Sequence, residues 1–275
     1  QTNALTMVPN GTDKIGGVNA NATLSTKGFS GTFVFVDSTE GWKLINDGTS
    51  ATEGAVLYMT ATGGTVTEDG DYKVHTFTAS SNFIVSSVGS DATYGNKVEY
   101  LVVAAGGGGG TQHSGGGGAG GYRHNSAYDF VVTAQTYAIT VGAKVGTNSA
   151  GGVSTFSTIS SAGGGRGGSA APAGPGGGGA GSGGSGGGGH SYPSGQGGGS
   201  GDVPSTVPSQ GTNGGSGSGS GPNYGGGGGG GIGGGGGNGS GSSAGAGGNG
   251  SSNDIHGSSR VYSAGGGAHA HGGGS

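Results

Sequence analysis

His269-Ala270-His271 places two imidazoles on one side of an extended segment, and copies of it around an axis could surround a metal with ring nitrogens. Only one such element exists, so solvent-exposed histidines are the expectation, and no metal or other cofactor is assigned. Glu68-Asp69-Gly70-Asp71 is too short of ligands for a Ca²⁺ loop and lacks its terminal Glu, which leaves a polar hairpin turn. Gly106 to Gly110 and Gly115 to Gly118 could be taken for phosphate loops, but no Gly-Lys-Ser/Thr follows them and no helix opens. Glycan cleavage needs paired carboxylates, and residues 105–275 hold only Asp129, Asp202 and Asp254, with no Glu. Serine is abundant, yet no Gly-x-Ser-x-Gly sits between a strand and a helix. With no Cys among 275 residues, thiol catalysis, thiolate metal sites and disulfides are excluded. The chain is therefore expected to have no catalytic residues and not to be an enzyme.

Binding chemistry is more plausible than catalysis. A formal net charge of −4 offers no basic face for nucleic acid. The longest nearly apolar run, Tyr100 to Ala105, is far short of the roughly 18 residues that span a bilayer, so no membrane insertion is expected. No signal peptide is read at the amino end, and Gln1 is taken as the start of a processed product or of a portion of a longer chain. Asn10, Asn21, Asn238 and Asn249 head Asn-x-Ser/Thr triplets, which arise by chance in so Ser- and Thr-rich a chain. What stands out are side chains interrupting long glycine stretches: His190, Tyr192 and Pro193; Asp202-Val203-Pro204; Asn223 and Tyr224; Asp254 and His256; Arg260 and Tyr262. They are either contact residues for a surface receptor, where Tyr supplies rigid amphipathic area, or simply turns that reverse the chain, with Tyr covering its ends.

The elements holding these residues fall into two halves. Residues 1–104 contain 13 of the 81 Gly and the rest of the chain contains 68. In the first half, Thr32 to Val36 and Trp42 to Ile45 predict a hairpin across Ser38-Thr39-Glu40-Gly41. Tyr72 to Thr78, Phe83 to Val85 and Lys97 to Val103 predict strands, as do Asp129 to Val132, Tyr137 to Val141 and Val153 to Ile159. A short β-module over residues 1–60 and an antiparallel β-sandwich over 66–161, interrupted by a glycine-rich insert, are expected.

Residues 162–275 lack material for an apolar core. Composition alone allows a flexible Gly/Ser linker, and collagen is excluded because runs such as Gly225 to Gly231 break any three-residue period and only 7 Pro are present. The ordered alternative is polyglycine II: left-handed, three residues per turn, with outward-pointing peptide groups that bond neighbouring helices. Only glycine allows so close an approach. The expected fold class is thus all-β plus polyglycine II, the last part a bundle of packed left-handed glycine helices joined by loops.

Val98-Glu99-Tyr100-Leu101-Val102-Val103-Ala104-Ala105-Gly106, Gly117-Gly118-Ala119-Gly120-Gly121-Tyr122-Arg123, Gln135 through Ala143, and Thr155-Phe156 through Gly163-Gly164-Gly165 together resemble the glycine-rich domain of tailed-bacteriophage fibre proteins and adhesins, over residues 66–275. Asp13 to Gly17, Thr23 to Thr26, Phe33 to Asp37 and Gly41 to Ile45 look like a β-module of phage tail and head fibres. A similar glycine-rich fold in some animal receptor tyrosine kinases carries cysteines that this chain lacks. The resemblance implies a virion fibre whose distal glycine-rich tip binds a host surface receptor, either a glycan or an outer-membrane protein loop. It also implies homotrimerisation through the first half and association with other virion proteins. The competing expectations are a structural spacer or filament protein without receptor binding and, third, an ice-binding protein, which would leave the β-modules unexplained.

Overall fold

The computed structural model describes residues 4–25, 31–47, 57–170, 178–219 and 221–271. Among them there are short β-strands and no helix, so none is long and apolar enough to cross a membrane. The largest sheet has five strands in the order β13-β12-β11-β8-β5, and every other sheet is a two-stranded pair. The chain forms two compact units, each assembled from separated stretches: residues 1–62, 84–98 and 127–136 in one, and 63–83, 99–126 and 137–275 in the other.

In the first unit, β1 (Leu5–Met7) pairs antiparallel with β2 (Ala22–Leu24), and β3 (Gly31–Phe35) with β4 (Trp42–Asp47). The latter is the hairpin expected from its aromatic and β-branched residues, with a register shift between Thr32 and Phe33. Its turn is held by Asp37, whose carboxylate accepts the N–H groups of Thr39 and Glu40, both at 2.7 Å. These bonds hold the Asp37 carboxyl below its ordinary pKa. Ile15 is buried and bridges to Trp42, whose ring meets Phe35 edge-on at 5.6 Å. β5 (Thr60–Thr62) pairs with the second half of β8 (Ser81–Ser87).

The second unit starts with the hairpin of β6 (Thr65–Asp69) and β7 (Tyr72–Thr76). Its apolar centre is aromatic. Phe83, on the first half of β8, touches His75, Phe77, Tyr137 and Phe156, and Tyr100 closes on Phe156. Tyr137 lies on β11 (Thr136–Thr140), which pairs with β12 (Ser154–Phe156). Val153 to Ile159 is not one strand. It folds back at Ser157, where φ is +52°, so that β12 pairs with β13 (Ile159–Ser161). Where the sequence suggests one sandwich over 66–161, the strands divide among the five-stranded sheet, the β6–β7 pair and the pair of β9 (Lys97–Val103) and β10 (Tyr122–Val131).

Beyond Val103 the ladder continues into glycine. Ala104 N–H donates to Gly121, and the glycine runs that follow, between the remaining short strands, show neither strand nor helix hydrogen bonding. Gly225–Gly231 shows the rule. The N–H groups of Gly226 and Gly229 donate to His269 and Gly266, those of Gly227 and Gly230 to Gly189 and Gly186, and those of Gly228 and Gly231 to Gly237 and Gly234. Every third donor returns to the same neighbour, so one run is bonded to three others. A β-strand would alternate with period two between two neighbours. Neighbouring runs need not be antiparallel: Gly116 and Ala119 donate to Gly227 and Gly230 in the same direction of travel.

This interior is made of backbone. A Cβ at Gly227, Gly228 or Gly229 would collide with the carbonyl oxygen of Gly215, Ala246 or Gly117, one on each of three neighbouring runs. Side chains are thereby driven out of the interior and into the turns.

Candidate functional site

Runs 104–110 and 115–121 leave and rejoin the strands β9 and β10, so Thr111 to Ser114 lies at their far end. Ring contacts bring three more turns to it. The His113 imidazole stacks on Tyr192 at 5.2 Å and 27°. It meets Tyr224 edge-on at 5.3 Å and His271 edge-on at 4.9 Å. Tyr192 and Tyr224 also touch, at 5.3 Å. These four rings come from segments separated by up to about half the chain, and backbone bonds fix them. The His113 carbonyl accepts both the N–H and the Oγ–H of Ser191, and β14 (Tyr224–Gly225) pairs with β17 (Ala270–His271).

Of the sequence candidates, Tyr192 and Pro193 are exposed at this end, and Asn223 and Tyr224 are half-buried beside them. His190 differs. Only 8% of it is exposed, and its Nδ1 is buried without a hydrogen-bond partner. Burial pushes its pKa down, against a hydrogen bond with the Tyr192 backbone that works the other way. It supports the Tyr192 turn from beneath and presents no face for contact. His113 is a site residue outside the sequence candidates, although it carries the same signal as they do, an aromatic ring interrupting glycine. Its pKa is also lowered, first by burial and then by His271 and His269.

Asp254, His256, Arg260 and Tyr262 lie at the opposite end of the runs, on the hairpin of β15 (Ser251–Asn253) and β16 (Arg260–Tyr262). There Tyr262 Oη and His256 Nε2 are 2.7 Å apart, while Asp254 and Arg260 are exposed. Asn253 ties this hairpin to β10, donating from Nδ2 to Tyr122 Oη at 3.1 Å. His124 Nε2 lies 3.1 Å from the same Nδ2 and donates to Glu99 Oε1 at 2.9 Å. Burial pushes the Tyr122 phenol up. The candidates therefore form two groups, not one surface.

The same end carries a second polar knot. Asp202, with φ +54°, accepts from the hydroxyls of Ser205 and Thr206 and from the N–H groups of Thr206 and Gln210. Burial acts to raise its pKa, but these donors together outweigh it and the net shift is downward. Gln210 is fully buried. Its Oε1 accepts Ala162 N–H at 2.8 Å, its Nε2 donates to the Pro204 carbonyl at 2.7 Å, and its own carbonyl accepts Tyr122 N–H at 2.9 Å. Nothing in the sequence marks this residue.

Among the described residues no group of three or more His, Asp or Glu is placed to hold a metal ion. The two ends differ in charge. The described turns 111–114, 191–195, 221–224, 240–243 and 268–271 contain no Asp, Glu, Lys or Arg, whereas Asp202, Asp254 and Arg260 occupy the other end. Comparison with protein-family models, curated proteins and solved structures finds no match.

Proposed function

We propose that this chain is an external virion fibre protein whose glycine-rich part attaches the particle to a host-cell surface through the turn cluster around His113, Tyr192 and Tyr224. The observation that carries the reading is the convergence of aromatic turns at one end of runs packed chiefly through glycine backbone. A rigid base with side chains only at its ends suits recognition, because contact residues are held without ordering cost at the moment of binding. In this reading the runs are left-handed polyglycine II helices, a form with three residues per turn that the three-residue hydrogen-bond period supports.

The first unit serves oligomerisation, with three copies of the chain joined to other virion proteins. Exposed Leu5, Val8, Phe35, Trp42 and Ile45 support an assembly role, since a two-stranded hairpin alone is marginal in water. Several tips per particle then raise effective concentration, so weak single contacts suffice. The proposed role is binding, not catalysis.

The test is binding of the labelled chain to a panel of intact bacterial strains, beside a version with Tyr192-Pro193 and Asn223-Tyr224 exchanged for other residues. Strain-selective binding lost on the exchange is the expected result. Absence of binding to every strain by a folded oligomer would overturn it in favour of a spacer or filament protein. Sedimentation of the same sample checks the trimer.

A further inference from the structure

We propose that the turn cluster recognises an uncharged pyranose glycan, with a sugar face stacked on Tyr192 and hydroxyls met by neighbouring neutral side chains. This deepens the attachment reading and rests on it.

Acidic glycans, phosphate and carboxylate are bound by Arg or Lys donors, and a cationic ligand is ordinarily met by carboxylates. The described turns 111–114, 191–195, 221–224, 240–243 and 268–271 have neither. The cation beside them is Arg166, which reaches Gly178; Gly178 pairs with Ser169, whose hydroxyl accepts the Thr111 N–H. Burial also disfavours the charged form of His113 and of His190, holding both below their ordinary value.

What the surface has is an aromatic face fixed in place. Tyr192 is 44% exposed and cannot swing freely, because His113 backs one face and Tyr224 abuts it edge-on. An exposed ring with a polar tip on a preorganised support takes the apolar C–H face of a sugar at little entropic cost. Gln112 and Ser194 are exposed within the same turns, and amide and hydroxyl groups both donate and accept, as sugar hydroxyls require. A protein loop is the alternative occupant, but a neutral aromatic face flanked by small hydroxyl and amide side chains lacks the charge pairs with which protein contacts are oriented.

The experiment uses the full chain on strains that bind it, after mild periodate oxidation of the cells or after protease treatment. A glycan array carrying neutral, uronic, sialylated and phosphorylated oligosaccharides is probed in parallel. Expected are loss after periodate, retention after protease, and array signal confined to neutral oligosaccharides. Tyr192→Ala is expected to bind about tenfold more weakly while remaining folded at the assay temperature, and Tyr192→Phe to keep most of the affinity. Binding that survives periodate and is lost to protease, or array signal on acidic glycans, overturns the glycan assignment while leaving attachment intact. No binding to any strain overturns attachment itself.

Discussion

Gly188→Ala and Gly197→Ala are the same chemical change with opposite expected signs. At Gly188 a new methyl would lie deep inside van der Waals contact of the Gly227 carbonyl oxygen and carbon. Relief requires that carbonyl to turn away, yet it accepts the Gly116 N–H at 3.0 Å. Moving the Gly188 backbone instead disturbs its own bonds, to Gly116 from its N–H and from Gly168 to its carbonyl, both 2.8 Å. Overpacking in a filled interior costs about 1–3 kcal/mol, and one lost backbone bond about 1 kcal/mol more. The stiffer unfolded chain returns about 0.4–1 kcal/mol. The net expectation is a loss of about 1–4 kcal/mol. At Gly197 an added Cβ meets nothing within 4 Å, and φ lies outside the left-handed region, so only the unfolded-state gain of about 0.4–1 kcal/mol remains. Urea unfolding followed by circular dichroism gives both numbers against the parent chain. Equal effects, or a Gly188→Ala protein as stable as Gly197→Ala, would refute the close-packed backbone interior.

Gln210→Leu keeps approximate volume but strands the Ala162 N–H and the Pro204 carbonyl, for an expected loss of about 2–4 kcal/mol in the same unfolding assay. Asp202 is held below its ordinary value, so its contribution is fully present above the unfolded pKa of about 3.9 and is lost as pH falls through the folded value. Asp202→Asn tolerates the left-handed φ, and is expected to lower stability at pH 7 and flatten the acid limb of the stability curve. His113 and His190 also titrate below their ordinary 6.5 in the folded chain. The unfolded chain therefore takes up protons first, and urea midpoints are expected to fall as pH drops below about 6.5, with His113→Gln removing part of that slope.

Local pattern made some of this architecture legible. Lys97 to Val103 is a strand with the bounds its apolar run suggests, and Phe33 to Phe35 opposite Trp42 to Leu44 forms the expected hairpin. The first part of β10 was not legible, because Tyr122-Arg123-His124-Asn125 has no alternation; partners elsewhere, Glu99 and Asn253, stabilise it. The reversal at Ser157 was hidden because a serine, not Gly or Asn, takes the positive φ. The candidate contact residues could be found as interruptions, but not which of them share an end. Each interruption reverses the chain, so counting them would sort the ends, except that the chain also turns within Gly181-Ser182-Gly183-Gly184-Ser185 and at Ser240-Gly241-Ser242-Ser243, where no bulky residue marks it. Each concealed reversal exchanges the ends assigned to the turns after it. Gln210 was invisible for a different reason: its partners are backbone atoms, which leave no trace in side-chain pattern.

Placing stability in peptide groups and most exposed side chains in turns has a physical consequence. In an ordinary core, side chains that pack the interior also shape the surface above them, so a change in one is felt by the other. Here the interior is chiefly glycine, with the buried Ala119, Ser185 and Gln210 among it, and the bonds between runs are chiefly backbone to backbone. A turn such as Ser191 to Gly195 is tied to the rest by the Ser191 bonds to the His113 carbonyl and by ring contact. Its remaining side chains carry none of the interior packing. Glycine loses more conformational freedom on ordering than any other residue, and bonding each run to three neighbours offsets that cost cooperatively. The number of neighbours per run, not the identity of any side chain, is what holds the turns in register.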